Sequence, residues 1–171
     1  MKLLRFFAAL ALVTLLHFAG TRLLPDFPRA IDLFLVATVL TAAGGGSLAG
    51  MLGGMVAGLT CDALSGRLYG LYGFTDTIIG YGTARMAQRL IFDRAGVILV
   101  TLVIATFVQH GILTALEFGL LERFEPPDPL WWTVEALANG LTGGICFALS
   151  GTANRAQARR QERVEKLRLK K

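Results

Sequence analysis

The chain has 171 residues, of which 54% are hydrophobic and only 17% charged, and its mean hydropathy is +0.57. A soluble domain carries about 25% charged residues, so water is excluded as the solvent for most of this one. Cys61 and Cys146 both sit in apolar stretches with no CxxC or Cys/His neighbour, which argues against a disulfide scaffold or a zinc site. The net charge of +5 is concentrated in a tail, because eight of the 17 basic residues lie between Arg155 and Lys171. With no aromatic interleaving beside those cations, nucleic acid is not the expected partner.

A helical span needs about 20 mostly apolar residues. The first candidate is Phe6 to Leu24, flanked by Lys2 and Arg5. A basic start and apolar middle also describe a signal peptide, but His17 stands where a cleavage site wants a small residue, so a retained anchor is expected. After the Pro25–Pro28 turn come two shorter runs, Ala30–Ala43 and Ser47–Leu64, joined at Gly44, Gly45 and Gly46. Tyr72–Leu90, Gly96–Leu121 and Leu130–Ser150 follow. The expectation is an all-α polytopic membrane protein, with a compact six-helix domain over residues 1–151 and a basic cytoplasmic helix over 152–171.

Cations collect on the cytoplasmic side of a membrane. With both termini inside, thirteen Lys and Arg fall inside and four (Arg22, Arg29, Arg67, Arg123) outside. That balance is the one expected of a chain with both ends cytoplasmic. Trp131 and Trp132 then open the last helix at the outer interface, where indole rings settle. In the tail, Glu162 and Lys166 form an i,i+4 pair in the favoured order. Arg155, Arg159, Arg160 and Arg163 are expected to contact anionic lipid, at about 1 kcal/mol per cation, or a cytoplasmic partner.

The third span carries a ladder. Gly46, Gly50, Gly54 and Gly58 recur every fourth residue, and Asp62, Gly66 and Gly70 continue the spacing. Glycine inside a helix costs about 1 kcal/mol relative to alanine. In lipid the compensation is close backbone approach, either to a neighbouring helix of this chain or to a helix of a partner.

Ionisable groups inside a membrane are costly and are functional candidates by default. Asp76, His110, Glu135 and Asn139 are expected to line an outward-facing polar recess, with His17 and Gln109 as further polar groups. Asp32 is read as a helix-start residue stabilised by the dipole. Ser65 with His110 would be the obvious hydrolytic dyad, but Ala63-Leu64-Ser65-Gly66 lacks the first glycine and the strand of a GxSxG elbow. No HExxH and no phosphate-cradling loop is present. The expectation is a protein without catalytic residues, metal or cofactor.

Gly58-Leu59-Thr60-Cys61-Asp62, then Ser65-Gly66 and Gly70, followed by Gly80-Tyr81 in an aromatic-led helix, resembles the MreD family of bacterial rod shape-determining membrane proteins. Asp62, Ser65, Gly66 and Gly70 match its motif, and the basic tail lies outside it. The resemblance implies a non-enzymatic subunit of the cell-elongation (rod) complex that positions peptidoglycan synthesis. Its implied partners are MreC, the filament protein MreB, RodA and a class B penicillin-binding synthase. It also implies a bundle similar to the substrate-binding subunits of energy-coupling-factor vitamin transporters. A solute-binding transport subunit using the polar recess is the alternative function. Physically, Asp62 is expected to accept backbone N–H bonds and fix its loop, with the glycines permitting the turn.

Overall fold

The computed structural model describes the backbone of residues 2–66, 68–89, 95–121 and 128–168, and the side chains of 4–66, 68–89, 95–120 and 128–150. Among the described residues all regular structure is helical. The elements are α1 (Lys2–Leu23), the single turn α2 (Phe27–Ala30), α3 (Leu33–Gly44), α4 (Ser47–Ser65), α5 (Leu71–Ala87), α6 (Ala95–Leu121) and α7 (Pro129–Arg168). α7 runs unbroken from the apolar segment into the basic tail, in keeping with the helix-forming Arg, Gln, Glu and Ala there. The side chains of Arg155, Arg159, Arg160 and Arg163, like those of Glu162 and Lys166, lie outside the described residues, as do Arg67, Arg94 and Arg123 entirely.

Three helical segments are long and apolar enough to cross a bilayer: Leu4–Leu23, Ser47–Ser65 and Ala95–Leu120. α3 is apolar throughout but has only 12 residues, against the roughly 20 a span requires. α5 has 17 residues and contains Asp76 and Arg85.

The helices divide into two closely packed pairs, α4 with α5 and α6 with α7, and α3 lies between them touching both. Its position follows from its composition, since a helix apolar on every side has to be enclosed. Phe34, Leu35, Val39 and Ala42 are fully buried. Leu35, Val36 and Val39 meet Ile79 of α5 and Ile98, Leu102 and Ala105 of α6 in the main apolar cluster. On the other flank Phe34 packs with Leu10 of α1 and Ala57 and Cys61 of α4. α1 is peripheral, with Leu4, Leu12, Leu15, Phe18 and Leu23 all more than half exposed.

The distribution of polarity is inverted relative to a soluble domain. Asp32, Thr38, Asp62, Thr75, Asp76, Thr106, Gln109 and Asn139 are buried, while Val100, Ile104, Leu137, Leu141 and Ile145 lie on the outside. An apolar exterior this extensive is not left facing water by a soluble protein. Lipid is the solvent in which it is stable, and the chain is a membrane protein.

Candidate functional site

The motif region is built on an αL turn. α4 ends at Gly66 (φ 64°), and Gly70 (φ 105°) starts α5. Both φ values lie where a side chain strains the backbone, and no atom crowds either glycine, so conformation alone explains the residue type. Asp62 reaches across to the start of α5 from the last turn of α4. Its Oδ2 accepts from the backbone N–H groups of Gly70 (2.9 Å) and Gly73 (3.0 Å), and its Oδ1 from that of Tyr72 (3.0 Å). The first turn of any helix has N–H groups without intrahelical partners. Here one carboxylate from the preceding helix satisfies three in and beside that turn, and its charge complements the positive end of the α5 dipole. Asp62 is 2% exposed, so water cannot take its place.

The glycine ladder points into the same interface. A Cβ on Gly54 would fall on the backbone carbonyl of Asp76, and one on Gly58 on that of Tyr72. A Cβ on Gly50 would sit 2.5 Å from the carbonyl oxygen of Gly80, and Gly80 in turn faces the carbonyl of Gly50. Backbone meets backbone along three turns of α4, so this face of the ladder is occupied by α5 of the same chain. Gly46 does not belong to it. It is the N-cap of α4, and a Cβ there would meet nothing within 4 Å. Because Gly46 precedes the first helical residue, Ser47, and its backbone is extended, the four-residue spacing does not bring it onto the contact face.

The second polar group joins four helices. Asp32 is the N-cap of α3, its Oδ1 accepting from the N–H groups of Phe34 (2.9 Å) and Leu35 (3.0 Å). Its Oδ2 accepts from Gln109 Nε2 of α6 at 2.9 Å, and the same Nε2 donates to Asp76 Oδ1 of α5 at 3.0 Å. The backbone N–H of Asp32 donates to Asn139 Oδ1 of α7 at 2.8 Å, and Asn139 Nδ2 donates to Thr106 Oγ1 of α6 at 3.1 Å. Thr106 Oγ1 donates to the Leu102 carbonyl. Asp76, Thr106 and Asn139 have no exposed surface, and Gln109 has 1%.

Beside this network His110 Nε2 pairs with Glu135 Oε2 at 2.9 Å, and the His110 ring lies flat on Trp132, centroids 4.8 Å apart. At the same end of α7, Arg29 of α2 bridges Asp128 at 2.9 Å and stacks on Trp131. That clamp ties α2 to the start of α7.

The four residues expected to form one recess therefore separate. Asp76 and Asn139 belong to the buried network, and His110 and Glu135 form their own pair. Most of the network's donors and acceptors satisfy one another, as a buried polar network must if it is to hold a core together. The dipole reading of Asp32 is correct but incomplete, since Asp32 also receives Gln109 and anchors Asn139. Its Pro28 context signalled a helix start, and nothing in local sequence signalled partners 77 and 107 residues away. Ser65 and His110 are each bonded elsewhere: Ser65 Oγ donates to the Asp62 carbonyl at 3.3 Å, while His110 holds Glu135. Among the described residues no three His, Cys, Asp or Glu side chains are placed to hold a metal ion.

Span-length apolar helices and an apolar exterior around a buried polar interior define a helical membrane protein. The family model of the rod shape-determining protein MreD matches residues 2–125. The chain belongs to that family, and its involvement is in rod shape determination. No curated protein and no solved structure matches it.

Proposed function

We propose that the chain is a non-enzymatic scaffold of the cell-elongation complex, seated in the bacterial inner membrane and positioning the peptidoglycan synthesis machinery. The family match over residues 2–125 carries this reading. It is supported by the way Asp62, Ser65, Gly66 and Gly70 are used, because each belongs to the α4–α5 turn and, among the described residues, none is hydrogen-bonded to an acid, base or nucleophile of another element. The membrane domain, 1–151, crosses six times with both ends cytoplasmic; the cation distribution favours this, and the short α3 is accommodated as an enclosed helix. The basic tail, 152–171, presents Arg155, Arg159, Arg160 and Arg163 to anionic lipid. Its partners are a single-span protein of the MreC type and, through the same assembly, MreB, RodA and a class B penicillin-binding protein. The bundle takes the general form of the transporter substrate-binding subunits.

Affinity purification of the full chain after gentle detergent extraction tests this directly. An MreC-type protein is expected to co-purify with the parent and with Arg29→Ala. Recovery of a folded chain with no elongation-complex protein attached would contradict the scaffold reading, and so would a bound vitamin-like solute in its place.

A further inference from the structure

The bridge between Asp32 and Asp76 is unevenly supplied with donors. Asp32 receives three hydrogen bonds, two from the first turn of α3 and one from Gln109. Among the described residues Asp76 receives only the one from Gln109 at Oδ1, and its Oδ2 is buried without a partner. Thr38 of α3, which borders the same seam through its contact with the Gly54 position, has a second buried oxygen without a partner. The ionisable groups acting on Asp76 are Asp32 and Asp62, both acids. Those acting on Asp32 are Glu135, already held by His110, and His17 of α1, whose ring packs on Phe27 and Phe34. Two full negative charges joined by one neutral amide, with no Lys or Arg on either among the described residues, are not sustained in a buried site.

We propose that Asp32 and Asp76 hold a single negative charge between them, with Asp76 as the neutral, proton-carrying member and Oδ2 as the oxygen that bears the proton. The charge stays on Asp32 because two backbone N–H groups and the positive end of α3 stabilise it there. A proton fits where a larger cation does not, since it needs no cage of ligands. The neutral acid also gives the seam a donor that an ionised Asp76 would lack. The bridge is then a proton-binding site at the junction of α3, α5 and α6, which are the helices linking the two packed pairs.

Infrared spectroscopy of the full chain in detergent micelles at neutral pH reads this proton. The parent is expected to show the C=O stretch of a protonated carboxyl, displaced in Asp76→Glu and absent in Asp76→Asn. Asp76→Asn, which replaces a neutral acid with a neutral amide, should move the thermal unfolding midpoint by less than about 4 °C, whereas Asp32→Asn should lower it further than that. Should Asp76→Asn not fold, the parent band and its displacement in Asp76→Glu decide the matter. No band in the parent, or a band unmoved in Asp76→Glu, would overturn the proposal. A midpoint that rises in sodium chloride and not in choline chloride of equal strength, with no carboxyl band, would overturn it in favour of a bound sodium ion.

Discussion

The α4–α5 seam and the junction of α3 with α5, α6 and α7 hold the same bundle together by different means. The seam is made of absence: Gly50, Gly54 and Gly58 remove side chains so that two backbones touch. Dispersion contacts of this kind drive helix association in lipid, where the hydrophobic effect between helices is lost. The junction is made of side chains, Asp32, Asp76, Thr106, Gln109 and Asn139, whose hydrogen bonds span four helices. A seam of glycines cannot yield, because its contacts are carbonyl groups fixed in helices. A junction of side chains can lose one member and rearrange. Mutations should therefore be graded, severe at the seam and milder at the junction.

The largest effect is expected from Gly54→Leu and Gly58→Leu, whose side chains would have to displace the backbones of Asp76 and Tyr72. Separation of the helices is the only relief, so neither variant should elute as a monodisperse species on size exclusion after extraction. Normal elution together with normal cell shape would show that the seam is not as close as described. Asp62→Ala comes next. It leaves three N–H groups without acceptors, that of Gly73 buried and those of Gly70 and Tyr72 half-buried, at up to about 1–3 kcal/mol for each unsatisfied group. A fall in unfolding midpoint larger than that of any single junction variant is the expected result.

Gln109→Leu should be intermediate, because it strips one donor from each of two buried acids. The expected loss is about 2–4 kcal/mol, read from thermal unfolding in micelles. Combining it with Asp76→Asn sharpens the comparison, since a junction that rearranges gives a double variant less unstable than the sum of the singles. The smallest effect belongs to Arg29→Ala. The Arg29–Asp128 pair is half exposed on both sides, and such pairs contribute about 0–1 kcal/mol, with the stacking on Trp131 adding a similar amount.

The two regions also differed in how far the sequence disclosed them. The seam was legible because its signal is local: glycines four apart must share a helical face, and Asp62 followed by Gly66 and Gly70 reads as a turn with an acceptor ready for it. What the spacing left open was the occupant of that face, which is α5, and the start of α4 after Gly46, which leaves that glycine off the face. The junction was legible only as a set of polar residues in apolar surroundings. Which of them meet depends on how four helices cross, so a grouping by position along the membrane joined His110 and Glu135 to Asp76 and Asn139, and left Asp32 and Gln109 at the margin. The single turn α2 was hidden for a similar reason: Pro25 and Pro28 announce a bend, while the clamp of Arg29 on Asp128 and Trp131 is formed 99 residues apart.

The central claim, that the glycine motif of α4 is spent on contact with α5, is tested most directly by one pair of variants on the two helices that meet there. Gly54→Ala and Gly82→Ala add the same methyl group, the first onto the Asp76 carbonyl and the second where nothing lies within 4 Å. Thermal unfolding of both in the same detergent should show a clear fall for Gly54→Ala and none for Gly82→Ala, which gains up to about 1 kcal/mol of helix propensity. Equal midpoints for the two variants would contradict the account.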